Sequence, residues 1–243
     1  MKYVFLIPEL KRGGPINVVK NLVETDFFMK LDVYIIAIRS QKDFIYEQEF
    51  LKNTKIIYLE NGNILSKLNQ LKEVLYNISP NVVHSNGFYP DIFLSFLLGN
   101  RYKKVTTIHN VIYQDYYSRY GIKGYLFSFI HYLVLKFTNF YKIFGCSREV
   151  ANSLDKIIRS KKIDYVNNGV NIDKFSCKSE ISKNIIKDQL GLDSEIIITF
   201  CGGVERVKRV PDLVNDYIAN LTEFDFKFII IGDGPELNQI KED

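Results

Sequence analysis

Apolar runs of strand length alternate with helix-length amphipathic segments along the whole chain. The runs at 3–7, 33–38, 55–59, 81–84, 104–108, 142–146 and 163–167 are rich in Val, Ile, Tyr and Phe and continuous rather than alternating. Strands covered on both faces read this way, so the pattern predicts a parallel sheet flanked by helices. Segment 65–78 supplies the helical counterpart. There Leu65, Leu68, Leu71, Leu75 and Ile78 recur at steps of three or four, forming one apolar stripe, and Pro80 ends the helix. Repeated β-α units imply right-handed crossovers and a doubly wound α/β fold.

A second series begins near residue 195, with strands over 195–200 and 226–231 and helices over 212–221 and from 235. The two series are separated by the polar segment 171–183, which carries Asp173, Lys174, Ser176, Lys178, Ser179 and Glu180. The expected organisation is a first domain over 1–172, a linker and first helix over 173–190, and the start of a second domain over 191–243. Two strands do not normally close a stable core, so the second domain is expected to be incomplete.

Composition narrows the class. With 243 residues, 47% hydrophobic and 25% charged, the chain is neither disordered, collagen-like nor a disulfide scaffold. A net charge of +4 suits an acidic ligand or an anionic membrane surface, and no concentrated basic stripe argues for nucleic acid. Cys146, Cys177 and Cys201 are scattered and odd in number, which fits a reducing cytoplasm better than disulfides or zinc. The first apolar run meets Pro8, Glu9, Lys11 and Arg12 at once, so no secretory signal is expected. The longest uncharged stretch, 124–135, falls short of the ~18 residues that span a bilayer.

Chemistry concentrates at strand ends. Gly13-Gly14-Pro15 leads from the first strand into a helix over 15–23. Glycines let backbone approach a ligand, and the N–H groups of a helix start favour phosphate; the same string also makes a plain tight turn. It is not G-x-G-x-x-G, and the second strand runs out in Ile38-Arg39-Ser40 without an acidic residue. A dinucleotide site, and an oxidoreductase built on one, is a poor reading. His84-Ser85-Asn86-Gly87 and Ile108-His109-Asn110 end buried strands where open α/β sheets bind ligands. His109 sits at its strand tip, placed to hydrogen-bond a sugar hydroxyl or backbone. His84 reads more readily as structural and His131 as packed. No H-x-x-H or H-E-x-x-H spacing occurs, so no metal site is expected.

Two further segments stand out. Residues 113–142 hold Tyr113, Tyr116, Tyr117, Tyr120, Tyr125, Phe127 and Phe129 among Arg119, Lys123, Lys136 and Lys142. Such a segment lies at a membrane interface, or else forms a core helix behind a mobile loop. In the second series Gly202 and Gly203 follow a strand, and Arg206 and Lys208 precede a helix; a nucleotide diphosphate needs such cations. Gly232-Asp233-Gly234-Pro235 repeats the strand–glycine loop–helix design.

In order along the chain stand Gly13-Gly14-Pro15, Val82-Val83-His84-Ser85, Thr107-Ile108-His109-Asn110 and Cys146-Ser147. Asn168-Gly169-Val170-Asn171-Ile172-Asp173-Lys174-Phe175, Gly202-Gly203 with Lys208, and Ile230-Ile231-Gly232-Asp233-Gly234-Pro235 follow. Together they resemble glycosyltransferase family 4, the retaining group with the GT-B fold. The resemblance implies two Rossmann-like domains, the first chiefly for the acceptor and the second for a nucleotide-sugar donor. It implies a hexosyltransferase-type enzyme of surface polysaccharide assembly, cytoplasmic or peripheral at the inner membrane face. The donor is a nucleotide-diphosphate sugar, the acceptor a saccharide or lipid-linked saccharide, and no cofactor or metal is called for.

By the same resemblance His109 is the catalytic contact to the donor sugar. Gly13, Gly14, Gly203, Arg206, Lys208, Gly232 and Gly234 belong to the donor side, and His84, Asn86, Asn110 and Tyr113 to the acceptor side. There are two departures. Gly203 stands where the family commonly has Arg, and the family's E-x7-E motif would lie beyond Asp243. This chain alone is therefore expected to turn over nucleotide sugars poorly or not at all. The alternative reading is a non-catalytic remnant or partner subunit that keeps the acceptor fold.

Overall fold

A computed structural model describes residues 1–39, 44–97, 99, 101–172, 180–192, 196–220 and 226–241. The chain divides into two compact units, Met1–Asn171 and Ile172–Asp243. Among its described residues the first holds seven parallel strands: β1 (Lys2–Ile7), β2 (Asp32–Ala37), β3 (Lys55–Tyr58), β4 (Val82–Asn86), β5 (Lys103–Ile108), β6 (Lys142–Gly145) and β7 (Ile163–Tyr165). Their order across the sheet is β3-β2-β1-β4-β5-β6-β7. All seven coincide closely with the apolar runs, because each strand supplies both faces of the sheet. In β1, Val4 and Leu6 enter one hydrophobic cluster while Phe5 and Ile7 enter the other.

Helices cover each face. Ile16, Val19 and Val23 of α1 (Gly14–Val23), with α2 (Asp26–Met29) alongside and Phe50 of α3 (Phe44–Leu51), build the smaller cluster. The larger one takes Leu68, Leu71, Leu75 and Ile78 of α4 (Ile64–Ile78), the stripe expected from spacing, although Leu65 is exposed. Asn63 caps α4, its Oδ1 accepting from Ser66 N at 2.9 Å. The chain leaves the helix at Ser79, in a left-handed conformation just before Pro80. The same cluster takes Phe93 and Leu94 of α5 (Phe88–Ser95).

Beyond α5, the segment 113–142 contains two helices in contact, α6 (Ile112–Tyr120) and α7 (Lys123–Phe137), where a single core helix behind a mobile loop was one expectation. Gly124 makes their approach possible. A β-carbon there would stand 2.2 Å from the carbonyl oxygen of Tyr116. The unit continues with α8 (Arg148–Ile158), whose N-cap Ser147 accepts from Val150 N at 3.3 Å.

Among the described residues the first helix of the second unit is α9 (Glu180–Gln189), within the segment expected to hold the linker and first helix; residues 173–179 lie outside the described set. Then come β8 (Ile196–Cys201), a short 3-10 turn (Arg206–Lys208), α10 (Val210–Asn220), β9 (Phe226–Ile231) and α11 (Leu237–Lys241). Strands β8 and β9 pair in parallel. The expected helix from Pro235 starts only at Leu237, after a turn.

Candidate functional site

The order of the sheet reverses between β1 and β4. Helix α1 therefore leaves β1 toward one face, while α5 leaves β4 toward the other. At such a switch point the two exits part and leave a crevice at the strands' carboxyl ends. Here the crevice is a cavity of about 400 Å³. Pro8 and Glu9 line it after β1, Pro15 in α1, Asn86 and Gly87 after β4, and His109 and Asn110 after β5. Tyr116, Arg119 and Tyr120 wall it from α6, and Phe127 and His131 from α7. A wider depression of about 860 Å³ lies by Pro80, Asn81 and Tyr102, at the amino ends of β4 and β5, away from these residues.

His109 lies in the crevice, its Nε2 3.2 Å from Asn86 Oδ1. The Asn86 amide nitrogen points back to the His84 carbonyl at 3.5 Å, so the amide oxygen accepts from His109 Nε2–H. This leaves Nδ1 as an acceptor. From below, Cys146 Sγ donates to the His109 carbonyl at 3.1 Å. Burial pushes the His109 pKa down to about 4, partly opposed by the Asp91 carboxylate, so the imidazole is neutral near neutral pH.

The structure separates His84 from this group. Its ring lies one pleat repeat deeper in β4, with Nδ1 2.9 Å from Tyr3 Oη and Nε2 2.7 Å from Thr107 Oγ1. Both nitrogens are thus occupied, and burial beside His109 pushes its pKa down to about 3. His84 lines a second groove of about 390 Å³, with Asn21, Phe28, Phe144 and the Asn168-Gly169-Val170 segment. There Asn21 Nδ2 donates to the Gly169 carbonyl at 3.1 Å, tying the end of the first unit to α1. Tyr113 also falls outside the crevice. It is exposed at the start of α6 and does not line the cavity, although Tyr116 and Tyr120 one and two turns further along the helix do.

Gly13 and Gly14 are exposed at the start of α1. A side chain at either would meet nothing nearer than 4.0 Å, so packing does not account for these glycines. Gly232 and Gly234 differ. A β-carbon on Gly232 would stand 1.8 Å from the Gly202 carbonyl oxygen, and one on Gly234 2.3 Å from that of Val204. The two loops lie backbone to backbone, joined by Val204 N–Asp233 O at 2.9 Å and Glu236 N–Val204 O at 3.2 Å. Packing of loop on loop accounts for these two. Gly203, Arg206 and Lys208 are exposed beside them, the cations on the 3-10 turn.

Sequence reasoning missed Asp91. This fully buried carboxylate accepts from Ser85 Oγ at 2.5 Å, and its other oxygen meets His131 Nε2 at 2.8 Å. His131 Nδ1 in turn lies 2.8 Å from Tyr116 Oη. The available signal was a carboxylate inside the apolar stretch of α5, which in a buried helix requires a partner.

A parallel Rossmann-like sheet with its crevice at the β1–β4 switch point places the first unit among GT-B type α/β folds. Solved structures of that kind match. HepE of Anabaena, in complex with UDP and glucose, superposes with a TM-score of 0.75 at 15% identity, over 100% of this chain and 64% of that one. Sucrose-phosphate synthase of Thermosynechococcus elongatus gives 0.65 at 13%, over 95% and 71%. The family model of Glycosyltransferase Family 4 matches residues 12–174, and the chain belongs to that family. Among curated relatives, the O-antigen biosynthesis glycosyltransferase WclY of Escherichia coli is 27% identical over 245 residues, covering 99% of this chain. The chain spans 64% of the length of that relative.

Proposed function

We propose that the chain is the acceptor side and part of the donor side of a glycosyltransferase of surface polysaccharide assembly. It would move a hexose from a nucleotide-diphosphate sugar to a saccharide or lipid-linked saccharide, with retention, at the cytoplasmic face of the membrane. The observation that carries this reading is a neutral His109 held by Asn86 at the switch-point crevice of a family 4 chain. The HepE complex with UDP and glucose supports the donor class, and the WclY relative supports the pathway class.

In this reading the free Nδ1 of His109 accepts from a donor-sugar hydroxyl. Its low pKa suits it to orient the sugar as a neutral group rather than to act as an imidazolium acid. In the first unit the N–H groups beside Gly13 and Gly14 suit a phosphate, and in the second unit Arg206 and Lys208 are cations that suit a diphosphate. Asn86 and Asn110 lie on the acceptor side. A leaving-phosphate oxygen takes the acceptor proton, and the protein supplies positioning and electrostatic stabilisation.

The test is a donor screen on the full-length reading frame with acceptor-lipid extracts. Transfer is expected, with kcat/KM lowered by about a hundredfold or more in His109→Ala. Unchanged transfer by that variant would sink the assignment. The 243-residue chain alone is expected to transfer little. One observation favours a second reading, a non-catalytic partner subunit: Gly203 stands where the resemblance calls for Arg. Failure of the full-length protein to bind any nucleotide sugar would select it.

A further inference from the structure

The wide depression of about 860 Å³ at the amino ends of β4 and β5 lies apart from the crevice, and a mismatch of lengths opens it. Helix α5 has 8 residues, a rise of about 12 Å, while the strand β4 that it returns along spans about 17 Å. Helix α4, with 15 residues, runs the full way to Ile78. The space left over lies between the outer side of α4, the Ser79-Pro80-Asn81 turn, the end of α5 and the approach to β5 at Arg101 and Tyr102.

The exposed apolar lining of this depression is aromatic. Tyr76 of α4 is 69% exposed and Phe96 is 55% exposed, whereas the aliphatic Leu75 and Leu97 are buried. Tyr102, half-buried against the core, adds a third ring. Rings left in water around a hollow contribute little to the core, and such patches mark binding surfaces. Asn69, Lys72 and Glu73 share the Tyr76 side of α4, at steps of three and four. From the opposite wall the Arg101 guanidinium reaches within 5.8 Å of the Tyr76 ring centroid.

The helix ends narrow the choice of ligand. The C-cap residues Ser79 and Phe96 both line the hollow, so α4 and α5 present their carboxyl ends to it. The dipole at such ends disfavours phosphate, which makes a nucleotide a poor occupant. A lysine already serves each end: Lys2 Nζ donates to the Ile78 carbonyl at 2.8 Å, and Lys104 Nζ donates to the Leu97 carbonyl. A sugar suits the lining better. Its C–H face is apolar and slightly positive and packs on the negative face of an aromatic ring, while its hydroxyls both donate and accept. The rim offers both partners, with donors on Lys72 and Arg101, an acceptor on Glu73, and the amides of Asn69 and Asn81.

We propose that this depression is a second saccharide site, which holds an oligosaccharide by stacking on Tyr76 and Phe96 and by hydrogen bonds from Arg101. A pocket of this size takes a ligand of several rings. It lies at the opposite end of the strands from His109, so it retains a saccharide chain at a distance from the crevice. The site stands on its own lining and does not rest on the transferase reading.

Saturation-transfer difference NMR tests the proposal, with tetrasaccharides of glucose, galactose, mannose and N-acetylglucosamine as probes. At least one should bind, with transfer strongest to ring C–H protons. The double variant Tyr76→Ala with Phe96→Ala should weaken that binding by about tenfold or more, and Arg101→Ala by about threefold. Both rings are exposed, so circular dichroism and the urea midpoint should stay as in the parent chain. Three results would overturn the proposal. The first is no binding of any of the four probes. The second is binding that the double variant keeps in full, which assigns the saccharide to another surface. The third is a parent dimer that the double variant dissociates, which gives the rings to a second copy. Nucleotide-sugar binding by the full-length protein is a separate readout, and its absence would remove the transferase reading while leaving this site in place.

Discussion

His131 Nε2 lies 2.8 Å from Asp91 Oδ2, with both side chains buried. Burial and the Asp91 charge hold the Tyr116 phenol protonated, so it donates to His131 Nδ1, and Nε2–H donates to Asp91. The chain Ser85–Asp91–His131–Tyr116 thus joins β4, α5, α6 and α7 around one side of the crevice. Asp91→Ala leaves His131 without its acceptor in a closed interior, and Ser85 with only the Val105 carbonyl at 3.3 Å. It should lower stability by about 3–5 kcal/mol in urea unfolding. A loss below about 1 kcal/mol would show that water or a shifted side chain replaces the carboxylate.

Acid should destabilise the first unit earlier than carboxylate titration alone predicts. His84 and His109 have folded pKa values pushed down to about 3 and about 4 from an ordinary 6.5. Below pH 6.5 the unfolded chain binds protons that the folded chain refuses, so stability falls as pH drops toward 4. At pH 5 either histidine accounts for about 2 kcal/mol. The measurement is urea unfolding from pH 7.5 to 4.5. His84→Gln should flatten that slope, and an unchanged slope would contradict the buried neutral ring.

Thr106 offers a stabilising substitution. Its hydroxyl is buried in β5 and has no hydrogen-bond partner among the described residues. Thr106→Val should raise stability by about 1 kcal/mol. Thermal unfolding of the pair decides it, and a lower midpoint for the variant would reveal a hidden partner.

Gly124→Ala should be costly despite its small size, since its methyl would strike the Tyr116 backbone. A loss of about 1–3 kcal/mol is expected, with reduced hydrogen-exchange protection in α6 and α7 rather than in β1 or β2. Uniform loss of protection would argue against a local role.

In the full-length protein, Lys208→Ala should weaken nucleotide-sugar binding by about tenfold or more, in keeping with a cation set against a diphosphate. Calorimetric titration measures this directly. Unchanged affinity would remove Lys208 from the donor site.

The strands were legible because most are short runs rich in β-branched and aromatic residues, although β7 carries the exposed Asp164 between Ile163 and Tyr165. Helices α5 and α6 were harder. Phe88–Ser95 opens on Phe-Tyr-Pro, and Ile112–Tyr120 is crowded with tyrosines of middling helix propensity, so tertiary packing decides both. The strand-end rule brought His109, Asn86 and Asn110 to one crevice, but it did not carry depth. His84 shares a strand with Asn86, yet both its ring nitrogens are taken by Tyr3 and Thr107. Asp91 and His131 meet across 40 residues of sequence, and no local pattern announces the pair.

The backbone contact between the 202–204 loop and the 232–236 loop makes the two strand ends a single mechanical part. Arg206 and Lys208 ride on the turn that leaves this part. A side chain introduced at Gly232 or Gly234 would push the two loops apart and shift the turn that carries the cations. If Lys208 serves the donor as proposed, substitution at those glycines should weaken nucleotide-sugar binding by displacing the turn even while Lys208 itself is kept.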